Sequence, residues 1–198
     1  MKITRLQPQA KRPDRVSVFI DDKYAFSLTR DQVAELELKL GQEVDPIRIR
    51  QFLADSVFGK LRDQTYRWLA IRLRSRWEIE TYLARKTEDE KLRQRLLTLL
   101  DGQGYVDDAK FAAAWVRHRN LIKPMSQYRL KQELLQKRLP MEIIEEALSE
   151  QPQDDIAAIR SLVAKRGHRY PDRQKLMAFL ARQGFKYADI KTALSERE

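Results

Sequence analysis

Hydrophobic and polar positions follow two periods along this chain, one near its start and another over the rest. Ile3-Thr4-Arg5-Leu6 alternates, Val16-Ser17-Val18-Phe19-Ile20 is β-branched and apolar, and Tyr24-Ala25-Phe26-Ser27-Leu28 resumes the pattern after the polar Asp21-Asp22-Lys23. This predicts a hairpin with a further strand beside it. Three strands alone are marginal and need a cover. A short helix over Arg30–Leu40, behind a Thr29 or Ser27 cap and closed by Gly41, supplies one. Asp45-Pro46 then opens a new helix with proline at its first position. From there the period is helical, with breaks near Ser75, Thr87, Gly102-Gln103-Gly104, Lys123-Pro124, Leu139-Pro140, Gln151-Pro152 and Tyr170-Pro171. Mostly short helices with tight connections are expected.

The helical pattern repeats. Ser126, Leu130, Leu134, Leu139, Ile144, Ala147 and Leu148 recur 46 residues later as Asp172, Leu176, Leu180, Phe185, Ile190, Ala193 and Leu194. An earlier copy, Ser75, Ile79, Leu83 and Lys86, precedes Ser126, Leu130, Leu134 and Lys137 by 51 residues. Leu96, Leu97 and Leu100 then stand where Ile144, Ala147 and Leu148 stand in the later copy. Units of this size do not bury their own faces fully and are expected to stack. The expected fold is mainly α: an elongated tandem array of three-helix repeats behind a small N-terminal β-hairpin or three-stranded region. Its segments are 1–45 (hairpin and short helix), 46–104 (first repeat with a lead helix), 105–150 (second repeat) and 151–198 (third repeat).

Composition removes whole classes of chemistry. With no cysteine, the 198-residue chain has no disulfide, thiolate metal site or cysteine nucleophile. Only His118 and His168 are available as imidazoles, which excludes a histidine-rich metal centre. No apolar run approaches the ~18 residues of a membrane span, and Met1-Lys2-Ile3-Thr4-Arg5 does not read as a secretory signal. A cytoplasmic, monomeric, cofactor-free protein is the expectation. The formal net charge is +10, and it is segregated. Residues 1–45 and 101–150 balance, whereas 46–100 carry thirteen basic against seven acidic side chains and 151–198 ten against six. A field concentrated in two stretches is the footprint of a polyanion or a strongly acidic protein surface.

The catalytic inventory is poor. Gly102-Gln103-Gly104 lacks the Lys-Ser/Thr of a phosphate-binding loop and reads as a helix stop and turn. Asp107-Asp108 could in principle hold a divalent metal. No matching third ligand is present, and Asp107 as N-cap with Asp108 in the first turn of a helix over Asp108–Asn120 accounts for both. His118, three residues after Trp115, is expected on the face of Phe111 and Ile122 as a partly buried structural residue. His168, in Arg166-Gly167-His168-Arg169, reads as a surface loop residue.

The basic stretches are more informative. Tyr66, Leu69, Ala70 and Leu73 are spaced as one core stripe, with Arg67, Arg72, Arg74 and Arg76 turned elsewhere. Trp68 lies off the stripe, where it either stacks on a guanidinium, a base or a partner side chain, or packs beneath the hairpin. Five arginines between Arg62 and Arg76 oppose Asp63 alone, a basic ridge. A weaker ridge comprises Lys165, Arg166, Arg169, Arg173, Lys175, Arg182 and Lys186.

Gly104-Tyr105-Val106-Asp107-Asp108-Ala109-Lys110-Phe111-Ala112 resembles a signature of the regulatory protein RecX family. Arg74-Ser75, the Tyr82-Leu83 helix, the Lys123-Pro124-Met125-Ser126 start with Leu130 and Leu134, and the hairpin residues Val18, Ile20, Tyr24 and Phe26 extend the resemblance over essentially the whole chain. Within it, Gly104, Tyr105, Asp107, Asp108 and Phe111 form the structural motif. The resemblance implies a cytoplasmic bacterial modulator of the RecA recombinase, usually an inhibitor, at work in DNA recombination, repair and the SOS response. Family members are curved arrays of three-helix repeats lying in the groove of the RecA–DNA filament. They hinder ATP hydrolysis, filament extension and strand exchange, and carry no catalytic residues. The partner-binding residues would then be Arg67, Trp68, Arg72, Arg74 and Arg76 with Lys165, Arg166, Arg169, Arg173 and Arg182, facing RecA and, as a possible second contact, single- or double-stranded DNA. One departure stands out. Where the family often ends its second repeat's middle helix with Gly-Ile, this chain has Arg138-Leu139, while the third repeat keeps Gly184-Phe185. Arginine in a left-handed cap costs ~1 kcal/mol relative to glycine, so a different turn is expected there, with Pro140 still ending the segment.

Two other readings compete. One is a helical repeat protein that binds DNA or RNA directly through Arg67, Arg72, Arg74 and Arg76. The other is a metal-dependent enzyme built on Asp107 and Asp108.

Overall fold

Alternation near the chain start becomes a three-stranded antiparallel sheet in the order β1 (Ile3–Gln9), β2 (Arg12–Ile20), β3 (Lys23–Thr29). The structure, a computed structural model, describes residues 1–122, 125–152 and 154–195. Val16 pairs with Leu28 and Val18 with Phe26, so the apolar positions fall on one face. The β2–β3 turn places Asp21 and Asp22 at φ 46° and 63°, the two positive angles that a type I′ hairpin requires. Thr4 Oγ1 accepts the Asp22 N–H at 2.9 Å and fastens the turn to β1.

The cover is helix α1 (Arg30–Glu35), with Thr29 and Gln32 forming a reciprocal capping box. It ends earlier than the sequence suggests. Glu37 adopts φ 48°, its N–H reaches Ala34 O, and the Leu38 N–H reaches Val33 O. This Schellman turn sends Leu38 into the core of the unit beside Ile3, Val18, Phe26, Val44 and Phe52. Burial of Leu38 decides the stop, and Gly41 instead serves the following turn, donating its N–H to Ile3 O at 2.8 Å.

Helix α2 (Pro46–Leu69) begins at the Asp45 cap and runs for 24 residues, far longer than the others. A buried polar link ties it to the sheet. Arg15 of β2, 1% exposed, reaches Ser27 O at 2.7 Å and Asp63 at 3.0 Å, while Ser56 Oγ donates to Ser27 O at 2.5 Å.

The remaining helices are α3 (Arg76–Lys86), α4 (Glu90–Gly102), α5 (Asp108–Ile122), α6 (Gln127–Gln136), α7 (Met141–Glu150), α8 (Asp155–Arg166), α9 (Arg173–Arg182) and α10 (Tyr187–Ser195), with a 3₁₀ turn at Gly167–Arg169. The expected break at Lys123-Pro124 lies outside the described residues. The chain divides into two compact units, one of Met1–Arg72 with Lys86–Leu96 and one of Leu73–Arg85 with Leu97 onward. In the second unit, α5–α7 enclose Phe111, Val116, Leu130, Leu134, Leu139 and Ile144, and α8–α10 enclose Ile159, Leu176, Leu180, Phe185, Ile190 and Leu194. The fold is mainly α, with three-helix repeat domains behind the small sheet.

Two expectations are corrected here. Arg138 does adopt the left-handed cap, at φ 60°, where Gly184 sits at 88°. Its N–H meets Leu135 O at 2.9 Å, matching the Gly184 N–H to Ala181 O at the same distance. Packing of Leu139 in the core holds the turn against the cost of a Cβ in that conformation. His118 is exposed, as is Ile122 at 67%. The buried face of α5 is Phe111, Ala112 and Val116, with Trp115 packed against it.

Candidate partner-binding surfaces

The arginines of the first ridge do not share one helical stripe. α2 ends at Leu69, with Ala70 as its C-cap donating its N–H to Tyr66 O. Ala70 is exposed, and Leu73, at 51% exposure, is no core residue. Arg67 projects from the last turn of α2 and is exposed, Trp68 beside it is half-buried, and Arg72 is exposed in the turn beyond. Arg74 and Arg76 belong to the second unit, where both are half-buried. The Arg76 guanidinium pairs with Asp101 at 3.2 Å, so its charge is partly spent within the protein.

The second ridge is more open. Lys165 and Arg166 close α8, Arg169 ends the 3₁₀ turn, and Arg173, Lys175 and Arg182 lie on α9, all exposed. Lys165, Arg166, Arg169 and Arg182 form no ion pair among the described residues. Lys165 and Arg166 sit where the helix dipole of α8 is negative, which favours cations there.

The signature around Gly104 has a structural task. Gly104, at φ 74°, ends α4 in a Schellman turn: its N–H meets Asp101 O and the Tyr105 N–H meets Leu100 O, each at 2.9 Å. This is the helix stop that the sequence indicates. Tyr105 is 47% exposed and Phe111 is buried against the Trp115 ring, centroids 5.5 Å apart. Asp107 caps its own helix through the Lys110 N–H at 2.8 Å. Asp108 does something the sequence reading missed: it accepts the Arg76 N–H at 2.8 Å and so caps α3.

The same joint recurs one repeat later. Asp154 caps α8 through Ile156 and Ala157, and Asp155 accepts the Gln127 N–H at the start of α6 at 3.2 Å. Ser75 Oγ donates to Lys137 O at 3.2 Å, and Ser126 Oγ to Gln183 O at 3.1 Å. Around these bonds the side chains differ. Glu78 pairs with Lys137 at 2.6 Å, while Arg129 donates to Gln183 Oε1 at 3.1 Å and to Arg182 O at 2.9 Å. Burial, followed by the neighbouring Asp189 and Asp154 carboxylates, raises the Asp155 pKa against the opposing Gln127 N–H and Lys186. The recurring Asp doublet, Asp107-Asp108 and Asp154-Asp155, was the signal available in the sequence.

Among the described residues no group of three His, Cys, Asp or Glu side chains is placed to hold a metal, and no helix is long and apolar enough to cross a membrane. Fold and surface together define a class: a basic, tandem three-helix-repeat protein with a β-sheet lead. The Regulatory protein RecX N-terminal domain matches residues 1–45, the second RecX three-helix domain residues 107–148 and the third residues 153–194. The chain belongs to the RecX family of regulatory proteins. It is similar to the Regulatory protein RecX of Bacillus pumilus (strain SAFR-032), 31% identical over 98% of this chain and 76% of the relative. The Regulatory protein RecX of Bacillus subtilis (strain 168) is 29% identical over 99% of this chain and 77% of its own length. A crystal structure of regulatory protein RecX superposes with a TM-score of 0.71 at 25% identity, covering 98% of each chain.

Proposed function

We propose that this chain regulates the RecA recombinase without chemistry of its own, binding in the groove of the RecA–DNA filament and slowing ATP hydrolysis and strand exchange. The observation that carries the reading is the pairing of RecX three-helix domains with open basic surfaces at Arg67 and Arg72 and along Lys165, Arg166, Arg169, Arg173 and Arg182. Successive repeats offer many contacts that add up along a helical groove, and cations steer the protein to a charged filament in a salt-sensitive way. A protein lodged across neighbouring subunits opposes the change of pitch that accompanies turnover. In this reading the protein is a cytoplasmic monomer with four working segments, 1–45, 46–104, 105–150 and 151–198.

The exposed cations of α8 and α9 favour a second reading, direct binding of DNA or RNA phosphates. One experiment separates the two. RecA-dependent ATP hydrolysis on single-stranded DNA is measured with wild type and with Arg67, Arg72, Arg74 and Arg76 changed to alanine. Inhibition by wild type, weakened in the variant, is expected. An ATPase rate that saturating wild type leaves unchanged overturns the first reading, and tight salt-dependent binding to naked nucleic acid then favours the second.

A further inference from the structure

Helix α2 carries an outer face that neither the sheet nor the core of its unit uses. Arg50, Leu53, Val57, Lys60 and Arg67 follow one another at steps of three, four or seven residues, which places them on one side of the helix, with Ile47 a turn before. Phe52, Ser56 and Gly59 are buried on another side of the helix, and the buried Leu61, four residues after Val57, borders this face. Leu53 is 42% exposed, Val57 52% and Ile47 64%. Arg50, Lys60 and Arg67 are exposed and form no ion pair among the described residues. The two acids of the helix are drawn away: Asp63 to Arg15 at 3.0 Å and Asp55 to Arg95 at 3.6 Å. What remains is a face with cations flanking an aliphatic pair and no carboxylate.

We infer that this face docks an acidic, partly apolar protein surface, one with carboxylates about 15 Å apart on either side of an aliphatic patch, the span from Arg50 to Lys60 at the helical rise. Two features favour protein over nucleic acid. Phosphate backbones reward cations and polar donors and gain nothing from exposed leucine and valine, whereas exposed aliphatic side chains ringed by charge mark protein contacts. The α8–α9 ridge differs, since no large aliphatic side chain is exposed between Lys165 and Lys175. Charge complementarity sets the sign of the partner, because both carboxylates of α2 are paired with arginines of other elements, Asp63 with Arg15 and Asp55 with Arg95. The inference deepens the proposed regulation of RecA: the occupant is a surface of RecA subunits in the filament.

The test uses the full chain, labelled with a fluorophore, and filaments of RecA on single-stranded DNA with a slowly hydrolysed ATP analogue. Wild type is compared with a Leu53→Ser/Val57→Ser double variant and an Arg50→Glu/Lys60→Glu double variant. All four positions are exposed, so folding is retained, which circular dichroism checks. Each double variant is expected to bind filaments about tenfold more weakly or worse, and the charge-neutral Leu53→Ser/Val57→Ser variant is expected to keep its binding to naked single-stranded DNA within about twofold. Filament binding equal to wild type overturns the inference alone. A parallel loss of binding to naked DNA in the Leu53→Ser/Val57→Ser variant makes the face a nucleic-acid contact and also overturns it. So does a wild-type dimer in sedimentation that the variants convert to monomer. Wild type that does not bind filaments at all overturns the RecA reading itself and this inference with it.

Discussion

Changing Arg138 to glycine is expected to stabilise the protein, and changing Gly184 to alanine to destabilise it by more. The two positions are 46 residues apart and close equivalent helices, α6 and α9, with φ of 60° and 88°. Arg138 is exposed, so Arg138→Gly relieves the Cβ in the left-handed conformation and sacrifices little else. The gain is about 1 kcal/mol, or a Tm rise of roughly 2–4 °C for a chain of this size. At Gly184 an added Cβ would stand 2.5 Å from Ser126 Oγ and 3.3 Å from Arg129 Cβ. Ser126 Oγ also donates to Gln183 O across the joint. The conformational cost of about 1 kcal/mol is then joined by a displaced hydroxyl and a lost hydrogen bond worth ~1 kcal/mol, so Gly184→Ala costs about 2–3 kcal/mol. Gly104 supplies the control. Its φ is 74°, and no neighbour stands within 4 Å of its would-be Cβ, so Gly104→Ala measures conformation alone. Urea titration of the three single variants at neutral pH reads these differences directly. The reasoning fails if Arg138→Gly lowers stability, or if Gly184→Ala costs no more than Gly104→Ala.

Arg15→Ala removes the buried partner of Asp63 and the link to Ser27; a loss of about 3–5 kcal/mol is expected in chemical denaturation, and a change under 1 kcal/mol would contradict the role given to that contact. Asp155→Asn keeps an oxygen for the Gln127 N–H while removing charge beside Asp189 and Asp154. An acid whose pKa is raised in the folded state lowers stability as pH climbs from the ordinary carboxylate range through its folded value. The variant should therefore exceed wild type in Tm at neutral pH, by a margin that closes on acidification below that window; a margin independent of pH would count against it.

Much of the fold was legible because it rests on periodic burial. The 46-residue recurrence picked out side chains that line the α5–α7 and α8–α10 cores, and Pro46 behind Asp45 marked the start of α2. Local propensity failed where tertiary packing overruled it. Glu37 and Arg138 accept left-handed backbone because Leu38 and Leu139, next in sequence, are pulled into cores. A rule that looks for glycine at helix ends misses both. The stripe over Tyr66–Leu73 misled for a related reason: helical spacing continues in the sequence after the helix has stopped at Leu69. Inter-repeat roles were invisible one residue at a time. Asp108 looks like a first-turn acid of α5, and only its distance to the Arg76 N–H shows which helix it serves. The same holds for Arg15, a strand arginine that sequence hydropathy would place in solvent.

The two joints of the repeat array are written in different side-chain alphabets, and that fixes the order of the units. Glu78 meets Lys137 at one, and Arg129 meets Gln183 at the other. Duplicating the middle unit would seat Arg129 against a second Lys137, cation on cation, in a spot where Lys137 and Arg129 now find acceptors. Deleting it would seat Glu78 against Gln183, an acceptable hydrogen-bonded pair. By its joints alone the array tolerates shortening better than lengthening, so a lineage adding repeats would have to rewrite a joint first.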